Sequence, residues 1–116
     1  MAIHPVTIIA NGAVIEVEPI CKNAIFGVRW VCRGIYNVTH IPTGCQQPVH
    51  FDTKREARAA ARISQKLLAG YEFWQQTDAV ALIEALPQWW REHEDIRAEL
   101  RPTWNKDAAP RGGEGE

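Results

Sequence analysis

The residues with the most obvious capacity for chemistry sit mid-chain, where Cys45 lies between His40 and His50. A cysteine within reach of a histidine can act as a nucleophile if a third group orients the base. The sequence nominates no such third group, and the same spacing describes a loop thiol flanked by strand-end histidines. Cys21 and Cys32 add further ligands of zinc-binding type. Structural zinc sites are usually built from closely spaced pairs, however, and no Cys-x-x-Cys occurs. Glycine-rich phosphate loops are also missing. No catalytic residue, metal or cofactor is assigned, and the chain reads as non-enzymatic.

Binding chemistry is better supported. Lys54, Arg55, Arg58, Arg62 and Lys66 recur behind Thr53 and Glu56, which have the spacing of a capping box. On a helix, Ala57, Ala60, Ala61, Ser64, Leu67 and Leu68 fall on one side and the cations largely on the other. Small residues let such a helix sit close against a sheet, leaving a basic stripe in solvent as a candidate partner-binding surface. Trp90 joins that list. If Trp89 faces inward, Trp90 projects roughly a third of a turn away, and an exposed tryptophan is a frequent interface anchor. Its alternative is packing against the sheet.

A second candidate surface lies further on. Ala79, Leu82, Leu86, Trp89, His93, Ile96 and Leu100 recur at steps of three and four. That narrow seam suits a partner helix, so Leu82, Leu86, Trp89, Ile96 and Leu100 are expected to mediate self-association as a homodimer, with packing inside the chain as the alternative. Pro87 should kink or split the helix. His93, on the seam, reads as a hydrogen-bonded packing residue.

The elements that must position these residues are legible in the turns. Asn11-Gly12 joins Val6–Ala10 to Ala13–Val17, pairing Ala10 with Ala13, Ile8 with Ile15 and Val6 with Val17 on one face. A second hairpin, from about Ile25 to Ile41, turns through Cys32-Arg33-Gly34. It sets Phe26, Val28 and Trp30 opposite His40, Val38 and Tyr36, and Arg29 opposite Asn37. Residues 45–49 read as an irregular connection and His50-Phe51 as a short edge strand. The capped helix spans about Lys54–Ala69 and ends before Gly70, and Asp78 caps the next. The expected fold is α+β: an antiparallel sheet of two hairpins, about four strands, then a packed helix and a C-terminal helical segment. Residues 1–104 form one domain and 105–116 a flexible tail.

Charge and composition narrow the partners. The net charge of −1 argues against a general polyanion binder. It is unevenly spread: residues 52–71 carry +3 and residues 72–101 carry −4, so the two segments can also neutralise each other. No apolar run approaches the roughly 18 residues of a membrane span, and the N-terminus lacks the basic and apolar regions of a secretory signal. Three scattered cysteines fit a reducing cytoplasm.

Strands followed by Phe51-x-Thr53-Lys54-x-Glu56-Ala57 and an alanine/arginine helix resemble the arm-type DNA-binding domains of phage integrases, in which one helix braces a three-stranded sheet that enters the major groove. That resemblance, confined to the sheet and first helix, implies DNA binding. In its small size, acidic helix and lack of catalytic groups the chain also resembles the compact accessory proteins of phages and mobile elements. Anti-CRISPR proteins, which block nucleic-acid machinery by binding it, are among them. This implies a protein partner. The expected function is a binding protein that regulates or inhibits a larger nucleic-acid-handling machine through protein contacts. The alternative is a DNA-binding module using the basic helix stripe and the sheet.

Overall fold

The computed structural model describes residues 5–10 and 12–104; Asn11 and the expected tail, 105–116, lie outside the described residues. The fold is α+β. Strands β1 (Val6–Ala10), β2 (Ala13–Pro19), β3 (Phe26–Cys32), β4 (Ile35–His40) and β5 (Gln46–Phe51) form one antiparallel sheet in chain order. Helices α1 (Lys54–Leu68), α2 (Ala79–Glu92) and α3 (Glu94–Trp104) follow, with a 3-10 turn at Glu72–Gln75 between α1 and α2.

Both hairpin registers are those expected from period-two alternation. Val6 pairs with Val17, Ile8 with Ile15 and Ala10 with Ala13, across a turn in which Gly12 takes the positive φ of 77° that a side chain would resist. Phe26 pairs with His40, Val28 with Val38 and Trp30 with Tyr36. The second turn is one residue tighter than expected. Cys32 pairs with Ile35 across Arg33-Gly34, and the extra residue is absorbed as an irregularity between Trp30 and Cys32.

The expected irregular connection at 45–49 is instead most of a fifth strand, β5, which pairs with β4. Pro48 within it cannot donate to a ladder. An edge strand tolerates it, and β5 is an edge. The β4–β5 register also shifts between Asn37 and Thr39.

The sheet curls rather than lying flat. β2 meets β3 through only the pairs Glu18–Val28 and Pro19–Gly27. A Cβ on Gly27 would stand 2.7 Å from Val17 Cγ1, and one on Gly44 would stand 2.7 Å from Ala10 Cβ. The β1–β2 hairpin therefore folds over the face of β3 and β4 that points away from α1. Asn37 and Thr39 on that face are wholly buried and bonded to each other, Thr39 Oγ1 donating to Asn37 Oδ1 at 2.7 Å.

The opposite face carries the main core. Phe26, Val28, Val38 and Phe51 pack under Ala57, Ala60, Ala61 and Leu68 of α1. Thr53 Oγ1 accepts the Glu56 amide at 3.1 Å, the threonine half of the expected capping box. Ala69 is the C-cap, and Gly70 follows without the positive φ often found there. Gln65 Oε1 accepts the amides of Ile25 and Phe26, fixing this end of α1 over the start of β3.

The C-terminal third folds back on the same core. Asp78 Oδ1 accepts the Val80 and Ala81 amides at the start of α2. The chain does not split into two helices at Pro87: α2 runs through it to Glu92, and the break comes at His93, which leaves helical geometry at φ −133°, ψ 51°. The carbonyl that Pro87 leaves without an amide is that of Ile83, whose side chain stands in solvent, so water can replace the lost bond.

The seam is not a surface. Leu82, Trp89, Ile96 and Leu100 are buried in the chain's own core, and Leu86 is half-buried beside them. The expected self-association face is thus corrected to intramolecular packing, because α2 and α3 turn that stripe onto the sheet and α1. No described helix is long and apolar enough to cross a membrane.

Candidate functional site

The basic stripe divides into two rows. Lys54 Nζ lies 2.7 Å from Glu18 Oε1, and Arg58 Nη2 lies 3.3 Å from Glu18 Oε2, so one β2 carboxylate holds both cations against the sheet. Part of the stripe is neutralised by β2, then, and not by the acidic C-terminal helices. Arg55, Arg62 and Lys66 are exposed and have no ion-pair partner among the described residues. Their spacings of seven and four place them within roughly 40° on the helix, opposite the buried alanines. They form the outermost ridge of α1.

A feature not foreseen as a site adjoins this helix. Trp30 is 61% exposed although it shares a strand face with buried Phe26 and Val28. The position of α1 explains it. Gln65 sits over Ile25 and Phe26, and Lys54 and Arg58 reach Glu18, the partner of Val28. Trp30, two residues further along β3, overhangs the helix N-terminus. With Tyr36, Glu16, Glu18 and Lys54 it lines a shallow depression of about 310 Å³. Strand alternation placed Trp30 on the correct face; its exposure depends on where the helix starts.

Trp90 moves the other way. Expected as an exposed anchor, it is only 8% exposed and packs edge-on against Trp89 and Trp104. Both neighbouring indoles of α2 are covered because α3 folds back across them after the break at His93.

The mid-chain cysteine–histidine arrangement is dismantled by its hydrogen bonds. His40 Nε2 lies 2.7 Å from the Trp74 carbonyl, which can only accept, so Nε2 carries the proton. Nδ1, 2.7 Å from Thr43 Oγ1, then accepts from that hydroxyl. Thr43 Oγ1 in turn accepts the Cys45 amide at 3.2 Å. Both ring nitrogens are engaged, leaving no lone pair for the Cys45 thiol. His50 lies exposed on β5. Cys21 and Cys32 are exposed, and no three His, Cys, Asp or Glu among the described residues group around a position for a metal ion.

Desolvation by burial lowers the His40 pKa below 6.5, and the hydrogen bond to the Trp74 carbonyl offsets this only in part. The unfolded chain thus binds more protons just below pH 6.5, and stability present above that value is lost as pH falls through the window. His40→Gln should flatten this acid limb relative to the parent. Urea midpoints compared at about pH 7.5 and 5.5 test it, and equal pH sensitivity in the two proteins would refute it.

Comparison of the chain with family models, with curated proteins and with solved structures found no match.

Proposed function

We propose that this chain is a non-enzymatic binding protein that regulates or inhibits a larger nucleic-acid-handling machine through protein–protein contacts, as small accessory proteins of phages and mobile elements do. It works in the reducing cytoplasm. The observation that carries the reading is Trp30, exposed beside the start of the basic helix. Solvent-facing tryptophan is costly to leave uncovered and is the residue type most enriched at binding hot spots. Trp30 and Tyr36 offer ring faces, and Glu16 a carboxylate, to a partner's arginine or lysine. The Arg55–Arg62–Lys66 ridge steers an acidic surface toward the same side.

DNA binding is the alternative, and the neutralisation of Lys54 and Arg58 by Glu18 weighs against it, since phosphate contacts need free cations. The test is capture from host lysate with and without nuclease, followed by binding to the captured protein. Trp30→Ala should cost about 2 kcal/mol or more of affinity without affecting folding. Arg62→Glu should chiefly slow association. Salt-dependent retardation of random duplex DNA near physiological ionic strength, with capture abolished by nuclease, would replace this reading with the alternative.

A further inference from the structure

Helix α2 carries a second stripe, turned away from the buried seam. Val80, Ile83 and Pro87 follow one another at steps of three and four and all stand in solvent, Val80 64% and Ile83 58% exposed. Beside them a groove of about 300 Å³ opens between α2 and α3. Leu86, Pro87 and Trp90 line it, and Arg91 and Arg97 are its only charged residues. It shares no residue with the Trp30 depression, so what fills it is independent of the binding role proposed for Trp30.

Charge along this stripe runs from acid to base. At its start Asp78 caps the helix through Oδ1, which takes both capping amides and leaves Oδ2 to a further donor. Glu84 follows on the exposed side. At its end Arg91 donates through Nε and Nη2 to Gln88 Oε1, which fixes the guanidinium and leaves Nη1 to another acceptor. Neither Arg91 nor Arg97 has an ion pair among the described residues. Glu92, next in sequence to Arg91, points roughly 100° away around the helix.

An apolar stripe with an acidic end and a basic end is complementary to the same stripe reversed. We infer that the outer face of α2 is a homodimer interface, on which a second copy packs its α2 antiparallel about a two-fold axis between Glu84 and Ala85. Asp78 of each copy then meets Arg91 of the other. Val80 of each enters the other's groove beside Pro87 and Trp90, and the two Ile83 side chains approach each other near the axis. The axis makes every contact twice. Side chains hold such helices about 8–10 Å apart, so the Ile83 carbonyl keeps its water. Residues 105–116 are a poor occupant, since they contain no apolar side chain larger than proline. One helix pair is smaller than the roughly 800 Å² per partner of a standard interface, so the dimer is weak, with a dissociation constant on the order of 10–100 µM.

Sedimentation equilibrium of the full chain, from about 10 µM to 1 mM, should show a reversible monomer–dimer equilibrium that weakens as salt is raised. Ile83→Lys sets two ammonium groups against each other at the axis and should weaken the dimer at least about tenfold. Ile83 is exposed, so this variant should keep the circular dichroism of the parent. Asp78→Asn is the second variant. Asparagine caps a helix as well as aspartate does, so the fold should hold while loss of the charge weakens the dimer about threefold. Three results would each overturn the inference: a chain still monomeric at about 1 mM, a dimer of undiminished strength in Ile83→Lys, or a dimer that both Asp78→Asn and raised salt leave unchanged.

Discussion

Replacing Trp74 by alanine is expected to remove about 3–5 kcal/mol of folding stability, the range for deleting a large buried aromatic. Trp74 sits in the 3-10 turn between α1 and α2 and joins the sheet to the helices. Its ring centroid lies 5.9 Å from Phe26, 5.6 Å from His40, 5.5 Å from Trp89 and 5.9 Å from Trp90. The tilted and edge-on geometries among these rings add to simple burial. Small domains have only about 5–15 kcal/mol in total, so the alanine variant should be close to unfolded at physiological temperature. Trp74→Phe should lose much less, because it retains a ring and removes an N–H that is buried without a hydrogen-bond partner among the described residues. Urea unfolding of the three proteins decides the matter. A loss below about 1 kcal/mol in the alanine variant would mean that the cluster repacks and that Trp74 does not join the two layers.

Gly27→Ala is the second large effect expected, and its cause is backbone proximity. A Cβ at this position would stand 2.5 Å from the Glu18 carbonyl oxygen, a distance that real side chains do not adopt. The oxygen belongs to the strand that pairs with Gly27 and cannot swing away as a side-chain tip would. β2 must lift from β3 where only two residue pairs join them. Overpacking of this kind costs about 1–3 kcal/mol, and the upper end is expected here. Gly70→Ala is the control: it has nothing within 4 Å and no positive φ, so its effect should stay within about 1 kcal/mol. Comparable melting temperatures for Gly27→Ala and the parent would show that the hairpin can shift without penalty.

Local rules predicted local structure. The registers of both hairpins follow from alternation and from Gly12 and Gly34, and the caps at Thr53 and Asp78 follow from side-chain chemistry. What was illegible depended on tertiary placement. A seam such as Leu82–Trp89–Ile96–Leu100 has the same spacing whether a second copy or the chain's own sheet covers it. Trp90 looks exposed by helical geometry until α3 is known to reverse at His93. Residues 45–49 read as a connection until β5 is known to be an edge, where Pro48 is tolerated. The candidate site was half visible: the basic stripe could be read, but its division by Glu18 required a contact between residues 40 apart. Trp30 was visible as a strand residue and invisible as a surface one.

The chain-order sheet has a consequence for how the molecule assembles. Each strand pairs with its predecessor through a short connection, so the chain closes only small loops before the first contacts form, and the entropy cost of each closure is low. The other layer works at long range. Trp74 meets His40 across 34 positions, and Trp104 reaches Gln47 across 57. Contacts so distant in sequence set the slow part of a folding reaction. The meander can therefore form early as a zipper of neighbours, and the rate of reaching the native state is governed by the docking of the tryptophan-rich C-terminal third onto it.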